Sequence, residues 1–470
     1  MIQSRQQRHK RKRRPYGLLI VGAAVVAGVC VAAAAHKLAA PSDPGAKPPA
    51  QAAAPHAAGS GGAQAGAGAA SGRRKAGRRR SRRDRRWRGA SGGTGGGSAA
   101  DGSKPVREGG GTPAAGAPGA GPHVRMAFVG DVLLADTVEK LLLQNGYDYP
   151  YQNVKQLLSE PDVTVANLET PVTEGGTKQS KEYVYRSSPL ALPALKESGI
   201  DVVNMANNHI MDYGAAGMLD TMKYLDQNGI EHVGTGHNLE EALKPVFITK
   251  QGIKIAFLGF SRVVPDNTWK ASAKQPGVAD TYNYTVPVET IRKTKEQADL
   301  VVVLAHWGTE RKDTPDPVQT DLAHRYVDAG ADLVVASHPH VLQGLEAYKG
   351  KWIAYSLGNF IFTTNDVAKT WETIVLQAEC GKTGDCSLRA VPILTKWAKP
   401  EPMVEPAGSE LLQRLSGLSF RSRIEAGGSV VRDDSVTGPA VMAPASAAPS
   451  ASPAPAASVS PGQSANTKKK

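Results

Sequence analysis

The stretch VVNMANNHIMDYG, Val202–Gly214, decides how this chain folds. Four of its first five residues are apolar, the pattern of a buried strand. Two amides and an imidazole follow at once, Asn207, Asn208 and His209, with the carboxylate of Asp212 three residues further on. A core strand that runs straight into ligand-type side chains presents those side chains at the end of a sheet.

The same arrangement recurs on both sides of it. VRMAFVG (124–130) leads to Asp131, DVTVAN (162–167) to Glu169, DLVVVLAHW (299–307) contains His306, and ADLVVAS (331–337) leads to His338 and His340. IKIAFLGF (253–260) and KWIAYSLGNF (351–360) read as further strands. Between them TVEKLLLQNG, GMLDTMKYLDQNG and PVQTDLAHRYVDAG place apolar residues at helical spacing. Alternation of strands and helices predicts an α/β fold, and its ligand crevice lies outside the carboxyl ends of the strands.

Taken singly, each polar residue has a plain reading. Asp131 could cap a helix, Asn207 or Asn208 could serve a turn, His306 beside Trp307 could be a core histidine, and His338-Pro339-His340 could be a bend. Taken together they bring carboxylate, amide and imidazole groups to one edge. That donor set suits a divalent ion such as Mn, Fe or Zn, and the lack of thiols argues against a soft-metal or iron–sulfur centre. Two such ions side by side would polarise a phosphoryl or carbonyl group.

Charge and composition separate this core from its flanks. Residues 1–123 carry 22 Lys and Arg against four acids in a chain of formal charge +13, so the remainder is net acidic. The pI of about 9.5 therefore describes the flanks and offers no support for a nucleic-acid-binding domain. Residues 1–14 are basic, and 15–36 form an apolar run long enough to span a bilayer. The basic flank predicts a cytoplasmic N-terminus and an extracellular main domain. The run exceeds the ~7–15 residues of a signal-peptide core, which favours an uncleaved anchor over a cleaved signal peptide. Residues 37–123, rich in Ala, Gly, Pro and Arg, read as a disordered linker, and 433–470 as a disordered Pro/Ala/Ser tail. The Arg73–Arg88 run suits either a solvated spacer or adhesion to a polyanion. The foldable domain is 124–432. In it Cys380 and Cys386 flank the turn GKTGD between two strands, which predicts a disulfide across a hairpin in an oxidising compartment.

Six motifs, FVGDVLL (128–134), VANLETPVT (165–173), ANNHIMDYG (206–214), LAHWGTE (304–310), ASHPHVLQG (336–344) and YSLGNFIF (355–362), resemble the CapA family of capsule and poly-gamma-glutamate biosynthesis proteins. That family is related to the calcineurin-like metallophosphatases. The resemblance implies a four-layer α/β/β/α sandwich with a dinuclear metal site. It also implies that Asp131, Glu169 (as the bridging carboxylate), Asn208, His306, His338 and His340 are ligands, and that His209 acts next to the scissile group. Tyr185, Arg186 and Glu310 would line the substrate cleft. Two departures stand out. Leu133 occupies the histidine position of an Asp-x-His motif, and Ser337 stands where a histidine usually precedes His-Pro-His.

The resemblance implies a membrane-anchored protein of capsule or poly-gamma-glutamate synthesis and export, partnered by an anionic polymer and by membrane subunits of that pathway. A metallohydrolase for phosphoesters or amides, with His209 as general acid or substrate-orienting group, is one alternative. A non-catalytic polyanion-binding protein is the other.

Overall fold

The computed structural model describes residues 121–438. Among them no helix is long and apolar enough to cross a membrane. The expected span 15–36 lies outside the described residues, as do 1–14, nearly all of the linker and the tail beyond 438.

The apolar runs become strands of two mixed sheets. The ten-stranded sheet contains β1 (His123–Val132), β2 (Val163–Leu168), β3 (Val202–Asn204), β4 (Glu231–Val233), β13 (Asn359–Ile361), β14 (Glu372–Gly381), β15 (Cys386–Lys396), β16 (Lys399–Pro402), β17 (Ser422–Ile424) and β18 (Ser429–Arg432). The six-stranded sheet contains β6 (Val246–Lys250), β7 (Ile253–Ser261), β9 (Leu300–His306), β10 (Leu333–Ser337), β11 (Leu342–Tyr348) and β12 (Lys351–Leu357). A short ribbon pairs β5 (Thr235–Gly236) with β8 (Gly277–Val278). β1–β4 run parallel, as do β7, β9, β10 and β12, while β14 and β15 form the expected antiparallel hairpin. Cys380 and Cys386 face each other across that hairpin and are joined.

Alternate side chains of the buried strands enter different cores. Met126, Phe128 and Val165 of one sheet meet Ile255, Val302 and Val335 of the other, so the two sheets lie face to face. On the far side of the ten-stranded sheet, Ala127, Val129 and Ala166 pack against α1 (Thr137–Asn145), α2 (Lys155–Ser159), α3 (Leu192–Glu197) and α4 (Gly214–Gln227). On the far side of the six-stranded sheet, Leu258, Val303 and Ala336 pack against α6 (Thr285–Lys295) and α7 (Pro317–Asp328). The short α5 (Leu239–Ala242) lies beside β5, and α8 (Ala407–Gly417) adds Leu411, Leu412 and Leu415 to the core between the sheets. The order of layers is helix, sheet, sheet, helix.

Two expectations about the strands need correction. The strand expected at 124–130 continues to Val132, so Asp131 is a strand residue and caps no helix. The stretch expected as strand to Ala206 stops at Asn204, because Asn204 Oδ1 takes the Ala206 N–H at 3.1 Å and turns the chain out of the sheet.

Candidate metal centre

The carboxyl ends of both parallel sets meet at one place. Asp131 of β1 is in register with Asn167 of β2 and with Asn359 of β13. His306 of β9 is in register with Ser337 of β10, which delivers His338 and His340 just beyond. β13 can approach β1 only because Gly130 has no side chain, since a Cβ there would lie 1.8 Å from the Gly358 carbonyl oxygen. Asn167 joins the two sheets: its Nδ2 donates to Asp131 Oδ1 at 2.8 Å and lies 3.3 Å from His306 Nδ1. His306 Nε2 lies 2.9 Å from Asn208 Oδ1.

The remaining ligand candidates close the cluster. His306 Nε2 is 3.7 Å and His340 Nε2 3.9 Å from Glu169 Oε1. His340 Nδ1 is 3.2 Å from Asp131 Oδ2 and 2.9 Å from Asn359 Oδ1. The rings of His306 and His338 have centroids 4.7 Å apart. His338 and His340 are held at φ 102° and 57°, a left-handed conformation that non-glycine residues avoid and that concentrates at functional sites.

Donor atoms of Asp131, Glu169 and His306 lie within 4.8 Å of one another, and so do those of Glu169, His338 and His340. Glu169 belongs to both groups. Both carboxylate oxygens of Glu169 and His338 Nδ1 are buried and have no hydrogen-bond partner. Orphaned acceptors in a dry site are costly unless a cation satisfies them. The residues present therefore fit divalent metal.

Electrostatics agree. Burial, and then the charge of Asp131, pushes the Glu169 carboxyl well above its ordinary value. Burial would also raise Asp131, but the hydrogen bond and charge of His340 outweigh it and hold that carboxyl low. Burial acts against the charge on His340, and Asp131 overrides it and raises its pKa. Burial, then His340, drives His338 down to about 3, and His306 is lowered well below the usual range by burial and its histidine neighbours. Without metal the site thus favours a proton on His340 and on Glu169 over one on Asp131. A divalent cation would displace those protons.

His209 stands beside this cluster on a loop tied by Asn207, whose Oδ1 accepts from His209 N at 3.1 Å and Ile210 N at 2.9 Å. His209 Nδ1 is 2.8 Å from Asp212 Oδ2. Lys181 Nζ donates to Asp212 Oδ1 at 2.8 Å and to the Asn208 carbonyl at 2.7 Å. The ring of Tyr185 lies against His209, centroids 4.7 Å apart, and its backbone N–H donates to Asp212 Oδ2 at 2.8 Å. Burial lowers the His209 pKa against the pull of Asp212.

Asp131, Glu169, Asn208, His306, His338 and His340 therefore come together, with His209 at their flank. Arg186 does not join them. Its guanidinium is exposed and rests 4.7 Å over the Tyr213 ring, on the wall of a cleft of about 650 Å³ shared with Tyr185 and Asp136. Glu310 is also exposed, and acts on Glu169 and His340 only through its charge. Leu133 is buried in the apolar core, and Ser337 contributes its carbonyl to Trp307 N at 3.2 Å.

A family model described as bacterial capsule synthesis protein PGA_cap matches residues 125–364. The chain belongs to this family. Over 280 residues it is 36% identical to the PGA biosynthesis protein CapA of Bacillus subtilis (strain 168), which covers 59% of this chain and 73% of that protein. It is 35% identical over 286 residues to the capsule biosynthesis protein CapA of Bacillus anthracis, covering 59% and 69%. A probable polyglutamine synthesis accessory protein of Mycobacterium tuberculosis (strain ATCC 25618 / H37Rv) is 31% identical over 258 residues, covering 51% and 68%. The PGA_cap segment contains all six ligand candidates, His209, Arg186 and Glu310, and it ends before the Cys380–Cys386 hairpin.

Three residues that touch the cluster carry no functional expectation from the sequence, Asn167, Lys181 and Asn359, while Asp212 is expected in the polar cluster without a role. Asn167 had a usable signal. It lies two residues before Glu169, so an extended chain turns both to one face. Lys181, in a polar loop, had none.

Proposed function

We propose that this chain is a membrane-anchored, extracellular protein of poly-gamma-glutamate or related capsule biosynthesis and export, whose metal cleft acts on the polymer or its carrier. The observation that carries the reading is Glu169, fully buried, shared by both donor groups and with neither oxygen partnered. Asp131, Asn208, His306 and Glu169 would hold one ion, and Glu169, His338 and His340 a second. Bound there, divalent metal would supply Lewis acidity toward a phosphoryl or carbonyl oxygen. The helix–sheet–sheet–helix order with ligands at the strand ends supports a metallophosphatase-like architecture. The Cys380–Cys386 bridge supports an oxidising compartment outside the cytoplasm.

The chain's own groups have separable tasks. Asp212 engages Nδ1 of His209 and fixes the ring, leaving Nε2 for proton exchange with a leaving group. Lys181 holds Asp212 and the Asn208 carbonyl, and thereby keeps a ligand and a proton carrier on one rigid loop. Tyr185 shields the His209 ring. The same apparatus would serve a phosphoesterase or amidase outside capsule synthesis, and the His209–Asp212 pair favours that second reading over a non-catalytic binder.

Metal analysis of purified protein is the direct test. Near-stoichiometric Mn, Fe or Zn, lost in Asp131→Ala and His338→Ala, is the expected result; a metal-free wild type after reconstitution would refute the centre. Loss of surface polymer on gene deletion, restored by wild type and not by His209→Ala, would tie the centre to the pathway.

A further inference from the structure

A second surface leads away from the metal centre. Phe362, just past β13, lies against His340 with ring centroids 4.7 Å apart. Two residues on, Thr364 Oγ1 accepts the backbone N–H of Trp397 at 2.7 Å. Trp397 is at the tip of the turn from β15 to β16 and is 58% exposed. It has φ 58°, and Ala398 after it has φ 53°. Two successive positive φ angles make a turn for which Asn and Gly are the suitable residues. A bulky indole is strained there, and its exposure gives it little packing in return. Strain kept without a structural return points to use.

The surroundings indicate the use. Lys396 Nζ is 4.5 Å from the Trp371 ring centroid and 5.9 Å from that of Trp397. Lys399 Nζ is 5.2 Å from the ring of Tyr149, whose hydroxyl donates to the Trp397 carbonyl at 3.3 Å. Both ammonium groups rest on aromatic faces, while Glu401 of β16 is engaged by Asn153 Nδ2 at 2.7 Å. The tip thus offers two indole faces and two lysines whose charge is left for an anion. It lies beyond the PGA_cap match, in a part of the chain to which no role is attached.

We infer that Trp397, Trp371, Lys396 and Lys399 form a ledge that holds a polycarboxylate, amide-linked chain on its way to the metal centre. The lysines pair with pendant carboxylates, and the indoles cover the methylene and amide faces between them. This rests on the capsule-polymer reading above and locates a binding subsite for it.

The test uses the full chain with the arginines of Arg73–Arg88 changed to glutamine, so that their attraction for polyanions does not mask the ledge. Binding of a short gamma-linked glutamate oligomer is measured by titration calorimetry, together with Tm and metal content. Trp397→Asn should lower affinity at least tenfold while Tm holds or rises, because asparagine suits a positive φ. Lys396→Ala/Lys399→Ala should lower it about tenfold and flatten the salt dependence, with metal content unchanged. Wild-type affinity in both variants would overturn the ledge and leave the polymer reading intact. If the parent protein ignores the glutamate oligomer but binds polyacrylate through these residues, the pathway reading fails and the ledge stands as a polyanion site. Binding of neither overturns both.

Discussion

Glu169 shows how one side chain couples protons, metal and stability. Its raised carboxyl pKa means that the folded protein keeps a proton the unfolded chain has lost. In metal-free protein its stabilising contribution is complete below the unfolded value, near 4.5, and disappears as pH rises toward the folded value. Each pH unit of that window costs about 1.4 kcal/mol. Glu169→Gln should flatten this decline in metal-free urea titrations at several pH values, and a decline as steep as wild type's would refute the assignment. The same change should weaken metal binding at least about tenfold. Lys181 is a second case. Its partner Asp212 is fully buried, so Lys181→Met leaves a carboxylate without its cation and should cost about 3 kcal/mol. Lys181→Arg should recover part of that loss in the same denaturation experiment.

At the scale of elements, β1 joins two regions of different purpose. Val124 near its start pairs with Cys380, and Asp131 near its end is a ligand candidate seven residues later. That is ~23 Å of extended chain. Removing the disulfide with Cys380→Ala/Cys386→Ala reopens a loop of sequence separation 6, and should lower stability by about 2 kcal/mol. Metal content should not change, because the hairpin and the centre lie at opposite ends of the strand. A variant that loses both stability and metal would show that the ends are coupled. α7 can be read the same way. Asp316 and Gln319 form a reciprocal cap at its start, and Asp316→Ala should cost about 1 kcal/mol without touching the centre.

For the whole molecule, the site belongs to neither sheet alone. One sheet supplies Asp131 and Asn167, the other His306, and the segments that follow their strands supply Glu169, Asn208, His338 and His340. Any cation that bridges them joins the two sheets, so metal should stabilise the entire domain rather than one loop. At a hundred times its dissociation constant an ion adds about 2.7 kcal/mol. Chelator-treated protein should therefore melt lower than metal-loaded protein in one cooperative transition, and His338→Ala should reduce the difference.

How much of this was legible in the chain follows from the range of each interaction. Val202–Asn204 announces a buried strand, and Asn208–His209 the polar turn beyond it, within a few residues, because strand periodicity and chain reversal are local, though the sequence runs the strand two residues too far. The helix–strand alternation and the six ligand candidates could be read in the same way. So could the Cys380–Cys386 bridge, whose partners sit across one turn. Sheet order and register are not local. They alone decided that Asn167 would link Asp131 to His306, that Lys181 would reach across to Asp212, and that Asn359 would meet His340. They also set Arg186 and Glu310 outside the ligand cluster and brought the Trp397 turn to Thr364 beside the centre. Those contacts join residues far apart along the polypeptide, and only the packing of two sheets determines which of them touch.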